Sequence, residues 1–132
     1  PPFLFGPHPI PASQIFHTTP LALAFVNLRP ITPGHVLVAS RRSVRRLAEL
    51  EEGEVAALFW LAREVGVAVA EGHYEAEGAT VAVQDGSAAG QTVPHVHVHV
   101  IPRKAGDFEE NDEVYAALEE EGAGVGEAAA AG

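Results

Sequence analysis

The chain has 132 residues, 47% of them hydrophobic, and a mean hydropathy of +0.09, values typical of one folded domain that buries roughly two thirds of its unfolded surface. It has no cysteine, which excludes disulfides and thiolate zinc sites, and no apolar run approaching the ~20 residues that span a bilayer. The net charge is −10, but residues 107–132 hold nine of the eighteen acidic residues and no lysine or arginine, so residues 1–106 have a net charge of only −1. Residues 1–106 also lack the stripe of basic side chains that is typical of a nucleic-acid-binding surface.

The start of the chain shows no basic segment followed by an apolar stretch, which is the pattern of a secretory leader. Together with the lack of cysteine, this predicts a cytoplasmic protein, with the nucleus also open. We expect neither a membrane nor a nucleic acid among its partners.

The first half of the chain predicts strands followed by one long helix. Residues 1–20 contain six prolines and are expected to form an irregular lead-in with a short strand at Ile15–Thr18. Residues 21–28 and 35–40 are mostly apolar runs joined by a short, turn-forming connection, which is typical of a hairpin. Over residues 51–73, apolar side chains recur at three- and four-residue spacing, which predicts an amphipathic helix.

The second half returns to strands and ends in a polar tail. Residues 78–84 are a predicted strand, residues 87–91 a small loop, and residues 111–120 a short helix. The acidic, glycine- and alanine-rich residues 119–132 are expected to be flexible, which leaves one domain over residues 1–118. Strands around a long helix, with hairpin-length connections, predict an α+β domain built on an antiparallel five-stranded sheet.

Three histidines alternate with three valines between two prolines, in the order Pro94, His95, Val96, His97, Val98, His99, Val100, Ile101, Pro102. Because side chains of a strand point alternately to its two faces, all three imidazoles are expected on one face and all three valines on the other. Valine favours strands, and proline, which cannot donate to a ladder, suits strand ends. The pattern predicts one face buried in a core and one face with chemistry.

Two chemistries compete for the histidine face. A metal site would use the imidazoles as ligands, but His95 and His99 lie about 13 Å apart along a strand, so they converge poorly on one ion. Alternatively, a neutral imidazole, with an ordinary pKa near 6.5, can attack phosphorus, and the central His97 is the best-placed nucleophile. Three purely structural histidines are the remaining interpretation.

The loop before the histidines favours an anion site. Gly90, Gln91, Thr92 and Val93 can aim backbone N–H groups and a hydroxyl at an oxyanion, although the same composition also occurs in plain turns. Directly before a row of histidines, this loop indicates phosphate binding.

These residues resemble the signature of the histidine triad superfamily, which reads here Gly90-Gln91-x-Val93-x-His95-x-His97-x-His99 followed by Val100-Ile101-Pro102-Arg103. Further matches, over about residues 3–118, resemble its fragile histidine triad branch, the diadenosine polyphosphate hydrolases. These matches are Phe5-Gly6-x-His8, Phe25-Val26-Asn27, Pro33-Gly34-His35-Val36-Leu37-Val38, Gln84-Asp85-Gly86 and residues 103–108.

The resemblance implies a homodimeric hydrolase of the histidine triad fold. By this analogy His97 attacks the α-phosphorus of a dinucleoside triphosphate, ADP leaves, and water releases AMP from the adenylyl-histidine. His99 would contact the α-phosphate, His95 would orient the nucleophile, and His35 would lie nearby. The other implied roles are phosphate contacts from Gly90, Gln91, Thr92 and Val93, a ribose contact from Asn27, nucleotide contacts from His8 and Gln84, and adenine-pocket walls from Phe5, Leu23, Phe25 and Leu37.

A divalent cation, Mg²⁺ or Mn²⁺, is expected to accompany the polyphosphate rather than occupy a protein cage. The alternative functions left open are hydrolysis of adenosine phosphoramidates, a nucleotide-binding signalling protein whose substrate complex is the active form, and a zinc metalloenzyme. Two further histidines, His17 and His73, are expected to be structural or solvated. Four arginines, Arg41, Arg42, Arg45 and Arg46, are expected to form the solvated edge of a helix.

Overall fold

The structure, a computed structural model, describes residues 3–72 and 75–120. In chain order its elements are β1 (Phe3–Phe5), β2 (His8–Ile10), β3 (Ile15–Thr18), β4 (Ala22–Val26), β5 (Val36–Ser40), α1 (Glu52–Gly72), β6 (Gly78–Ala82), β7 (His97–Arg103) and α2 (residues 113–120). Single turns of 3-10 helix cover Ala12–Gln14, Leu47–Glu49 and Ser87–Ala89. None of the described helices combines the length and apolar composition needed to cross a membrane.

The main sheet has five strands in the order β3-β4-β5-β7-β6, and all neighbouring strands are antiparallel. The predicted α+β class and five-stranded antiparallel sheet are therefore confirmed. The predicted hairpin is β4–β5, in which Ala22 pairs with Ser40 and Val26 with Val36.

The prediction of an irregular lead-in was wrong for residues 3–10. Strands β1 and β2 form a separate two-stranded hairpin, in which Phe5 pairs with His8 across a turn containing Gly6 at φ 57°. Phe5 is 1% exposed, and its ring centroid lies 5.1 Å from that of Phe25 on the main sheet. Burial of these aromatic rings stabilises the hairpin despite its prolines, because a two-stranded ladder has edges on which a missing donor is tolerated.

The histidine strand begins two residues later than predicted and continues past its second proline. His95 lies in a bend before β7, where its N–H donates to the carbonyl of Val93 at 2.8 Å. Pro102 is accommodated within β7 because the pairing with β5 extends no further than Val36 opposite Val100. Beyond that pair, Thr32, in the loop before β5, donates its hydroxyl proton to the carbonyl of Pro102 at 2.8 Å.

The valine face of β7 is buried in the core, as predicted, and α1 is the element that covers it. Val98 and Val100 are fully buried, and they join the apolar side of α1 and the same face of β4 and β5 in one cluster. The members of this cluster contributed by α1 are Leu58, Leu61, Ala62, Val65 and Val69. The opposite face of β4, β5 and β7 is covered by the β1–β2 hairpin and holds the histidines.

The remaining predictions divide between the described and the undescribed residues. α2 packs Val114 and Leu118 on Ile101 of β7, and its residues 113–120 confirm the short helix predicted over residues 111–120. His17 is exposed on β3, as expected. His73 and residues 121–132 of the predicted tail lie outside the described residues.

The arginine segment does not form a helix edge. Residues 41–46 are irregular, and two of the guanidinium groups bind carboxylates instead: Arg42 contacts Glu54 at 2.7 Å, and Arg46 contacts Asp85 at 3.1 Å. These ion pairs, rather than a helical pattern, define the path of the segment.

Candidate active site

The central strands of the sheet bring the histidines together. His97 and His99 lie on β7 opposite Ala39 and Leu37 of β5, and His35 immediately precedes β5. The ring centroids of His97 and His99 are 5.0 Å apart, and those of His35 and His99 are 5.2 Å apart. All of these rings are buried, because the β1–β2 hairpin and the loops cover this face.

The protonation state of His97 follows from a backbone contact. Its Nδ1 lies 2.8 Å from the carbonyl oxygen of His95, which can only accept, so Nδ1 carries the proton. Nε2 therefore holds the lone pair. Burial lowers the pKa of His97 to about 4, so the ring is neutral and nucleophilic at pH 7.

The opposite tautomer is imposed on His99 through His35. The N–H of Ile31 donates to Nδ1 of His35 at 3.1 Å, so the His35 proton sits on Nε2. That Nε2–H donates to Nδ1 of His99 at 3.0 Å, which leaves the His99 proton on its own Nε2. This Nε2–H is buried and has no hydrogen-bond partner in the described part of the chain. An unsatisfied buried donor is costly, and an anionic oxygen is the ligand that would satisfy it.

Burial keeps the rings of His35 and His99 neutral. It lowers the pKa of His35 to about 4, with a further contribution from His97, and it lowers the pKa of His99 to about 2, with contributions from His97 and His35. The histidine face therefore offers one lone pair and one donor, with no net charge near pH 7.

His95 acts on the site through its backbone as well as its ring. The carbonyl of His95 orients His97, as described above, whereas its ring accepts from the N–H of Gly6 at 3.1 Å and donates to the carbonyl of Ser40 at 2.6 Å. The ring thus ties the β1–β2 hairpin to the end of β5. Phe5 completes the cover, with its ring centroid 4.9 Å from that of His97 at nearly perpendicular planes.

The side chain of Gln91 holds the loop together. Its Oε1 accepts from the N–H of Gly86 at 2.7 Å, and its Nε2 donates to the carbonyls of Arg45 at 2.9 Å and Val93 at 3.0 Å. Both amide protons are therefore used within the protein. Its predicted contact with phosphate stays a prediction that would require these bonds to rearrange.

Gln84 lies against Gly90. The latter has φ 90°, and a Cβ there would lie 2.7 Å from the amide nitrogen of Gln84. The structure therefore brings the predicted nucleotide ligand Gln84 to the predicted phosphate loop, with Thr92 exposed and Val93 buried beside it. Glycine is required at this position by both conformation and space.

The other predicted contact residues lie around the histidines. Asn27 is buried, accepts from the N–H of Arg29 at 2.9 Å, and has its amide nitrogen 3.4 Å from the ring of His35. His8 is half-buried on β2 opposite Phe5. The four predicted adenine walls are buried in one apolar cluster with Ala39 and Val93; they are Phe5, Leu23, Phe25 and Leu37.

Sequence reasoning missed the backbone groups that organise the site. The N–H of Ile31, the N–H of Gly6 and the carbonyl of Ser40 set ring orientations, and every residue supplies such groups, so no sequence signal marks them. Across residues 3–72 and 75–120, no three histidine, aspartate or glutamate side chains are grouped so that they could hold a metal ion.

Comparisons with known proteins agree with this geometry. A family model described as the HIT domain matches residues 10–106. The chain is 51% identical over 118 residues to the bifunctional bis(5'-adenosyl)-triphosphatase/adenylylsulfatase FHIT of Arabidopsis thaliana, covering 89% of this chain and 65% of that protein. It is 50% identical over 117 residues to the bis(5'-adenosyl)-triphosphatase of Dictyostelium discoideum, covering 89% of this chain and 78% of that protein.

A solved structure shares the fold. The crystal structure of the C. elegans NitFhit protein matches with a TM-score of 0.79 and 43% identity, covering 92% of this chain and 30% of that chain. The chain thus spans a little under two thirds of the Arabidopsis relative and a smaller share of the NitFhit protein. From the arrangement of its histidines, the matched family model and relatives of about 50% identity, the chain belongs to the HIT-domain family.

Proposed function

We propose that this protein hydrolyses dinucleoside polyphosphates, with diadenosine triphosphate as the substrate, through a covalent bond to Nε2 of His97. The observation that carries the proposal is the pair of opposite tautomers on neighbouring rings, a lone pair on His97 beside an unpartnered donor on His99. Relatives at about 50% identity that are named for this substrate support it.

The tautomers assign each ring its part in the first step. The lone pair on Nε2 of His97 attacks the α-phosphorus, the bond from that phosphorus to the bridging oxygen breaks, and ADP leaves as its anion. The Nε2–H of His99 donates to a non-bridging oxygen that gains charge in the transition state. The His97 ring becomes positive, and the carbonyl of His95 stabilises it through Nδ1–H.

Water completes the reaction. It attacks the same phosphorus, the phosphorus–nitrogen bond to His97 breaks, and AMP departs as a proton is released to solvent. The nitrogen recovers its lone pair, so the neutral ring that burial favours is restored.

The covalent step is tested by trapping. The protein is mixed with diadenosine triphosphate, quenched within one turnover, digested and analysed by mass spectrometry. We expect one adenylyl group on His97 in the wild type and in a His17→Ala control, whose altered side chain is exposed on β3. Rapid turnover without an adduct, or an adduct on another residue, would contradict the proposal.

A second candidate function is cleavage of adenylyl sulfate. It is favoured by the name of the Arabidopsis relative, which includes adenylylsulfatase. The same attack by His97 serves this substrate, with sulfate leaving in place of ADP. Values of kcat/KM for diadenosine triphosphate, adenylyl sulfate and an adenosine phosphoramidate rank the alternatives, and tight binding with slow turnover would favour the signalling function.

We propose that Mg²⁺ or Mn²⁺ binds with the polyphosphate. The buried site presents neutral imidazoles, whereas these cations prefer oxygen ligands, which the substrate supplies. Activity should therefore vary with the free Mg²⁺ concentration and return fully when Mg²⁺ is added back to chelated protein. A zinc metalloenzyme would instead contain stoichiometric zinc and recover with zinc.

We also propose a cytoplasmic homodimer. β6 is an edge strand with Val81 53% exposed, and α1 exposes Phe59 and Trp60. An unpaired edge and exposed apolar side chains favour association with a second copy. Light scattering coupled to size exclusion should give twice the chain mass, and Val81→Lys should shift it toward the monomer, whereas His17→Lys on β3, at the opposite edge of the sheet, should not. Imaging of the full-length tagged protein tests the location, with the nucleus as the alternative.

A further inference from the structure

A cleft beside the phosphate loop has no part in the reaction described above. Its volume is about 350 Å³, and its lining includes Arg45, Arg46, Gly86, Gln91 and Thr92. It therefore runs along the loop that precedes the histidines and has a cationic wall.

Residues 44–46 are held against the active site by backbone bonds. The N–H of Val96, between two of the histidines, donates to the carbonyl of Val44 at 2.8 Å. The amide of Gln91 donates to the carbonyl of Arg45 at 2.9 Å. Arg45 thus extends from a backbone fixed both to the histidine segment and to the loop.

The two arginines of this wall differ in their partners. Arg46 binds Asp85, with contacts of 3.1 and 3.5 Å, and its guanidinium packs on Gly86, where a Cβ would lie 3.1 Å from Cζ. The side chain of Arg45 is exposed and makes no ion pair or hydrogen bond with the described residues. Arg46 therefore supports the loop, whereas the charge of Arg45 is available to a ligand.

A polyphosphate substrate needs that charge. The buried histidines are neutral at pH 7, so they contribute one lone pair and one donor without compensating the anion. Phosphates beyond the scissile bond carry further negative charge, and a guanidinium presents paired donors that suit phosphate oxygens.

We infer that Arg45 binds the phosphates of the departing nucleotide, on the far side of the scissile bond from the AMP unit that His97 receives. This inference rests on the proposed function, because it assigns a subsite to the same substrate. Arg45 thereby becomes a determinant of leaving-group specificity, favouring polyphosphates over substrates whose leaving group lacks phosphate.

Equilibrium binding tests the inference without turnover. The Kd values of AMP and of α,β-methylene ATP, which keeps the distal phosphates but resists cleavage between the α- and β-phosphates, are measured by calorimetry in low salt without divalent cations. For Arg45→Ala we expect α,β-methylene ATP to bind about tenfold more weakly, with the Kd of AMP changed less than about twofold. Arg45→Lys should recover part of the loss, and the loss should shrink in high salt.

The matched control is Arg63→Ala, which removes an exposed arginine from α1, on the opposite side of the sheet. The inference is overturned if Arg45→Ala leaves α,β-methylene ATP binding unchanged, weakens both nucleotides equally, or matches the effect of Arg63→Ala. If the wild type binds neither nucleotide, the proposed function itself fails. The two failures are therefore distinguished by which protein, variant or wild type, loses binding.

Discussion

The two faces of β7 are built from alternating residues of one strand, yet they are held together by different forces. On the face toward α1, Val98 and Val100 pack among aliphatic side chains, where the requirement is volume. On the other face, His97 and His99 depend on directional contacts with other groups, and each contact decides where a proton lies. Substitutions on the valine face should therefore change stability, whereas those on the histidine face should change chemistry.

The largest effect is expected from removing the nucleophile on the histidine face. His97→Ala should lower kcat for diadenosine triphosphate by at least about 10⁴-fold, because the covalent route is lost, while α,β-methylene ATP still binds. Steady-state kinetics and calorimetry measure the two quantities, with His17→Ala as the control. Turnover within tenfold of the wild type would show that the reaction bypasses this ring.

Mild acid should destabilise the protein through the histidine face alone. The folded pKa values of His35 and His97 are lowered to about 4 from about 6.5 in the unfolded chain. The unfolded state therefore binds more protons as pH falls from about 6.5 toward 4, and stability is lost over that window. The loss is at most about 1.4 kcal/mol per pH unit for each ring.

Urea unfolding between pH 7.5 and 5 measures this loss at fixed protein concentration. The paired carboxylates Glu54 and Asp107 have folded pKa values lowered to about 2, so the stability that they provide is lost only below about pH 4.5. The loss between pH 7.5 and 5 therefore reports on the histidines. A flat stability profile from pH 7.5 to 5 would mean that the rings are not held neutral.

The hydrogen bond from His35 that sets the His99 tautomer should affect catalysis separately from the contribution of His35 to packing. The shorter side chain in His35→Asn cannot donate a hydrogen bond to Nδ1 of His99. We expect kcat to fall by about 10²-fold, the order of magnitude found when a single oxyanion donor is removed. His35→Gln can place its amide N–H near the former Nε2 and should recover much of kcat. Equal losses in both variants, with unchanged pH profiles, would assign His35 a packing role instead.

The smallest effect is expected on the valine face. Val98→Ala should lower the free energy of unfolding by roughly 1–3 kcal/mol, the cost of a cavity among well-packed side chains, with kcat unchanged at 25 °C. Val67→Ala on the exposed side of α1 is the control and should change it by less than about 0.5 kcal/mol. A fall in kcat for Val98→Ala in the folded protein would show that the two faces are coupled.

Local pattern predicted the strands of the main sheet and α1 to within two residues at the described ends, because each has a strong period of its own. It failed at β1–β2, whose prolines indicate a loop, since the hairpin forms to bury Phe5 on a distant part of the sheet. It also misplaced His95, because the bend there depends on bonds to Val93 and on the chain around Val44.

By itself the sequence determined which residues share the valine face and the histidine face, and it predicted His97 as the central residue of a phosphate-directed site. The side-chain period of a strand is local and needs no tertiary contact. Only the tertiary structure decided which nitrogen of each ring carries the proton, because that choice belongs to Ile31, Gly6, Ser40 and the carbonyl of His95. Three of these groups are far from the triad in sequence, and folding alone brings them within hydrogen-bond distance of the rings.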